Sequence, residues 1–79
     1  MIDINVLEEL ISERTELKAD IKVQSTIFDF AKTNADRCRD ERNFTEMQAW
    51  MDVMRGVCDK LQELAIKYDK LIKRLKEET

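Results

Sequence analysis

The chain has no proline, no histidine and a single glycine in 79 residues. With so little turn chemistry a β-rich or loop-rich fold is excluded. The absence of histidine removes the commonest general base and the imidazole ligand. Two cysteines, Cys38 and Cys58, stand far apart without CxxC spacing, and common zinc sites need more donors than that. Neither a metal nor a cofactor is expected. The longest run without a charge, residues 23–28, has six members. A membrane span needs about 20 apolar residues and a signal-peptide core about 7–15. The start, Met1-Ile2-Asp3, is acidic rather than basic. These features predict a cytoplasmic protein without a membrane partner, and both thiols are read as small buried hydrophobes in a reducing compartment.

What is abundant is equally one-sided. Apolar residues make up 43% of the chain and charged ones 39%, while aromatics are only 6%. Disordered segments carry fewer apolar residues than this, and charged-plus-aliphatic composition without Gly or Pro marks long helices. The length suits one domain, residues 1–79. Fourteen bases against 17 acids leave a net charge of −3, which makes no global case for nucleic acid or anionic lipid. The charges are segregated, however. Residues 1–20 hold six acids against Arg14 and Lys18, and residues 60–76 hold six bases against Glu63 and Asp69.

The second half has the clearest periodicity. Met47, Trp50, Met54, Val57, Leu61, Leu64, Tyr68, Leu71 and Leu75 alternate spacings of three and four, the pattern of a helix packed along its whole length. Thr45 with Gln48 forms a capping box at its start, and Asn43 with Glu46 forms a competing one two residues earlier. The expected helix covers about residues 45–77. In the first half, Leu7, Leu10, Arg14, Leu17, Ile21, Gln24, Phe28, Ala31, Ala35 and Cys38 keep the same spacing. Asp3 or Asn5 can cap it, and Ser25-Thr26 and Thr33-Asn34 are weak helix formers where it could bend or stop. One helix over about residues 4–38 is expected, joined to the second by a polar turn over about residues 39–44.

Antiparallel pairing about that turn sets Cys38 opposite Met47, Ala35 opposite Trp50, Ala31 opposite Met54 and Phe28 opposite Val57. Small side chains then face large ones, as interdigitating layers require. The acidic start also falls beside the basic end. The expected fold is therefore all-α: an antiparallel two-helix hairpin of coiled-coil type.

The apolar stripe is wider than a two-stranded seam needs. Phe44, Met51, Cys58, Ala65 and Ile72 flank the second helix, and Ile4, Ile11, Val6, Val23, Ile27 and Phe30 flank the first. Such width suits a bundle of three or more helices. Chains this small generally recruit a disulfide, a metal or a second subunit to complete a core. The expectation is a homodimer, two hairpins forming a four-helix bundle, with a different helical partner as the rival. This arrangement resembles the small plasmid copy-control RNA-binding bundle in architecture alone, and likeness of fold transfers no function.

Gly56, inside the better helix, costs about 1 kcal/mol relative to Ala. It is read as a close-packing site beside Phe28 or a subunit partner, or else as a hinge. Arg14 in the seam is read as a stem whose head pairs with a carboxylate or stacks on Tyr68, or as a device that fixes register. The mixed run from Asp36 to Arg42 suggests a solvated helix end with local pairs such as Arg37 with Glu41.

No inward pair of carboxylates exists for acid–base work, so an enzyme is not expected and no catalytic residue is named. The leading reading is a small protein–protein interaction module, an adaptor, chaperone or inhibitor. Its candidate contacts are Phe30, Trp50, Met51, Cys58 and Ile72. The alternatives are a nucleic-acid-binding regulator using Lys67, Lys70, Lys73 and Arg74, or a structural subunit of a larger assembly.

Overall fold

The computed structural model describes residues 3–78; Met1 and Ile2, part of the acidic start noted above, and Thr79 lie outside it. Two helices, α1 (Ile4–Asp40) and α2 (Phe44–Glu78), pack side by side in a rod of 62 × 15 × 12 Å. Asp3 caps α1: its carboxylate accepts from the Asn5 amide at 3.0 Å, and its carbonyl accepts from Leu7 N–H at 3.0 Å.

The weak helix formers do not interrupt α1. Thr26 and Thr33 donate their hydroxyls to the carbonyls of Lys22 and Asp29, each at 2.9 Å. Asn34 donates its side-chain amide to the Phe30 carbonyl at 2.8 Å. Residues that compete with helix by bonding backbone elsewhere here bond back into their own helix, which therefore runs on to Asp40, two residues beyond the expected end.

The turn is shorter than the expected six residues because its ends are closed by two interlocked caps. Asn43 N–H donates to the Cys38 carbonyl at 2.8 Å, and Arg42 N–H donates to Arg39 at 3.0 Å. These are the two bonds of a Schellman motif, and Arg42 occupies its left-handed position with φ 60°. Asn43 then opens α2. Its side-chain oxygen accepts from Glu46 N–H at 3.3 Å, its side-chain amide donates to the Glu46 carboxylate at 2.8 Å, and its carbonyl accepts from Met47 N–H. The cap is thus Asn43 with Glu46 rather than Thr45 with Gln48, and α2 begins at Phe44. The physical reason is that the same Asn43 closes α1 through its bond to Cys38, so α2 starts directly after it. Gln48 turns outward to Asp52 instead, at 3.1 Å.

The seam follows the three-four spacing. Leu10, Ala31, Ala35, Cys38, Val57, Leu64 and Leu71 are buried, and the other expected seam positions of both helices are half-buried, Arg14 and Gln24 among them. Ala31 is 0% exposed and Cys38 1%, as expected where small side chains admit Trp50 and the methionines. Arg14 makes no ion pair and no ring stack among the described residues, so its half-buried stem is the part of the expectation that holds. Arg37 donates to Asn34 Oδ1 at 2.8 Å instead of pairing with Glu41. Arg39 takes the local carboxylates, Asp36 at 3.8 Å and Asp40 at 3.9 Å.

Two further expectations are corrected. Cys58 is exposed, because it lies on the α2 flank that α1 does not cover. Gly56 is exposed, and a Cβ added there would meet open space, with no atom of α1 within 4 Å, so Phe28 does not explain it.

Candidate interaction surface

The hairpin has two flanks, one on each side of the seam. On the first, Glu13, Glu16 and Asp20 of α1 face Lys67, Lys70 and Arg74 of α2 across a groove of about 450 Å³ floored by Leu17 and Leu71. The stripe continues along α1 toward the turn with unbroken three-four spacing through Val23, Ile27 and Phe30, all exposed. On α2 it continues through Glu63, Lys60, Gly56, Val53 and Ala49. Lys60 and Glu63 pair with each other at 3.9 Å. Phe30, 61% exposed, meets half-buried Trp50 edge-on, with ring centroids 5.5 Å apart and planes at 77°. Each helix on this flank has a charged outer half and an uncharged or mostly uncharged half near the turn.

The second flank carries Lys32, Asp36 and Arg39 of α1 against Met47, Met51 and Met54 of α2, around a groove of about 340 Å³ over Ala35. Along α2 it is Phe44, Met51, Cys58, Ala65 and Ile72, with Ile4 and Ile11 at the open end of α1. Phe44 is 58% exposed, whereas Ile72 is half-buried.

The five candidate contacts therefore do not form one surface. Phe30 and Trp50 lie on the first flank; Met51, Cys58 and Ile72 lie on the second. The separation follows from antiparallel packing, which puts like flanks of the two helices together. Val53 and Ile66 are exposed apolar residues outside the expected stripes. Val53 was legible as the middle of Ala49, Val53 and Gly56 at helical spacing. Ile66 stands on the outer face, where a lone aliphatic is ordinary.

The four basic candidates are divided as well. Lys67, Lys70 and Arg74 line the groove opposite the acids of α1, and Lys73 is exposed outside it. Among the described residues no acid–base pair across this groove closes to 4.0 Å. Opposite charges thus face each other at a distance, with their heads in solvent.

Cys38 lies beneath the turn, 1% exposed. Burial pushes its thiol pKa up, the Glu46 carboxylate adds to this, Arg37 opposes it and Glu41 again raises it. A buried, protonated thiol is a poor nucleophile. Among the described residues no helix is long and apolar enough to cross a membrane. No protein-family model, curated protein or solved structure matches the chain.

Proposed function

We propose that this chain is a non-enzymatic protein–protein interaction module that works by presenting helical flanks to another helical surface, in the first instance as a homodimeric four-helix bundle in the cytoplasm. One observation carries the reading. Among the described residues, seven apolar side chains are buried while nine large ones are exposed: Ile4, Ile11, Val23, Ile27, Phe30, Phe44, Met51, Val53 and Ile66. Ile66 apart, they line the two flanks, four on each, and a soluble monomer seldom leaves such faces uncovered. A core this small also supplies little stability by itself. Adaptor, chaperone and inhibitor all describe the same physical act, occupation of a partner's apolar surface.

Sedimentation equilibrium with parallel thermal unfolding tests the reading. The expected result is a mass near twice 9.4 kDa, with a melting temperature that rises with concentration. A 9.4 kDa species at every concentration that still unfolds cooperatively would refute it, since the hairpin would then need no cover. Nucleic-acid binding through Lys67, Lys70 and Arg74 is the weaker reading, because Glu13, Glu16 and Asp20 across the groove oppose a phosphate backbone.

A further inference from the structure

The geometry points to the first flank as the surface that receives a second copy of this chain, with the twofold axis parallel to the hairpin and both turns at the same end. The inference deepens the proposed function and rests on it. A face-to-face pair of hairpins has two symmetric choices. An axis across the rod lays α1 on α1 and sets the acidic half of one copy against the apolar half of the other. An axis along the rod lays α1 on α2 of the second copy, antiparallel and at unchanged height. Only the second choice matches what the flank carries.

At the open end, it puts Glu13, Glu16 and Asp20 of one copy against Arg74, Lys70 and Lys67 of the other, twice over by symmetry. Those charges face each other within the chain without closing to ion-pair distance, so a second set can be engaged. Near the turn, the register that pairs Cys38 with Met47 sets Phe30 level with residues 55 and 56. The Phe30 ring stands edge-on to Trp50 of its own chain yet is 61% exposed, and its free face then lies over Gly56 of the second copy, the position where an added Cβ meets nothing within 4 Å. A glycine that weakens its helix and faces open space at home is thereby explained as the recess for a phenylalanine. Ile27 falls beside the Lys60 stem of the second copy, an apolar cover of the kind long basic side chains provide.

The second flank carries no glycine recess, and beside its methionine groove Arg39 is already engaged with Asp36 and Asp40 of its own helix. The area also suffices. A face of 62 × 15 Å projects roughly 900 Å², comparable with the ~800 Å² per partner of a standard stable interface.

The test is sedimentation equilibrium on the full chain with three variants. Gly56→Leu improves helix propensity and meets open space in the single hairpin, yet blocks the recess. It is expected to keep or raise helix content while weakening the dimer by roughly tenfold or more. A triple variant Glu13→Lys, Glu16→Lys, Asp20→Lys and a second, Lys67→Glu, Lys70→Glu, Arg74→Glu, are each expected to dimerise poorly. Mixed, they should form a 1:1 heterodimer and regain helix content even where either alone is poorly folded. A wild-type dimer with Gly56→Leu equally tight, or with charge variants that show no preference for each other, overturns the inference and leaves the interaction reading standing. A poorly helical wild-type monomer overturns the inference together with the homodimer, and leaves the interaction reading to a different helical partner. A wild-type monomer that folds cooperatively by itself overturns both.

Discussion

Replacement of Arg42 by glycine should make the protein more stable. Arg42 is the left-handed residue of the Schellman turn, with φ 60°, and left-handed backbone costs an L-residue with a Cβ about 1–2 kcal/mol. Glycine escapes that cost but has more freedom to lose from the unfolded chain, which returns about 0.4–1 kcal/mol. Little else is lost, since the Arg42 side chain is exposed and makes no ion pair among the described residues. The net gain is about 0.5–1 kcal/mol, or roughly 4–8 °C of melting temperature for each kcal/mol in a chain of this size. Urea titration at one fixed protein concentration reads it directly. The midpoint should rise with an unchanged slope, Arg42→Asn should give a smaller gain, and Arg42→Val should destabilise. A midpoint for Arg42→Gly at or below that of the wild type would refute the reasoning, and with it the left-handed turn.

Four further outcomes follow from the caps, the core and the two thiols. Asn43→Ala should cost about 1 kcal/mol because it removes the N-cap of α2, whereas Thr45→Ala should be nearly neutral; the reverse order in urea melts would restore Thr45 as the cap. Ala31→Leu should destabilise by about 1–3 kcal/mol, since Ala31 is 0% exposed and the added volume has no place to go; a neutral result would deny the tight seam near the turn. Cys58 should react at once with a thiol reagent and Cys38 only on unfolding, given their opposite exposure. Burial raises the folded-state pKa of Cys38 above its ordinary 9.0. Above about pH 9 the unfolded thiol releases its proton first, so unfolding is favoured as pH rises toward the folded-state value. Wild-type stability should therefore fall more steeply than that of Cys38→Ala above that pH, and parallel curves would refute the shift.

Periodicity carried the fold because burial in a two-helix seam depends mainly on helical phase. Leu10, Leu64 and Leu71 are buried where the three-four spacing placed them, and even Arg14 and Gln24 are half-buried. The choice between Thr45 and Asn43 was not legible from cap patterns, since both satisfy the same consensus. It is decided by the Asn43–Cys38 bond, which belongs to the preceding helix. Cys58 was misplaced for a related reason: an apolar residue on a flank reads as core whether or not the chain has anything to cover it. In the sequence the candidate contacts stand out as apolar residues near the turn or along the flank of α2. Phase within α1 and α2 then sent Phe30 and Met51 to opposite flanks, a distinction that required the two helical wheels to be considered together.

The single turn has a kinetic consequence. Every contact between the helices joins residues at similar distances on either side of Arg42, so contacts near the turn close short loops and those at the open end close long ones. Loop-closure entropy grows with loop length, and the turn end is also where Ala31, Ala35 and Cys38 are buried. Folding should therefore zip from the turn outward. Unfolding should start where Leu10 and Leu71 hold the two chain ends together, making the acidic and basic halves the last to assemble.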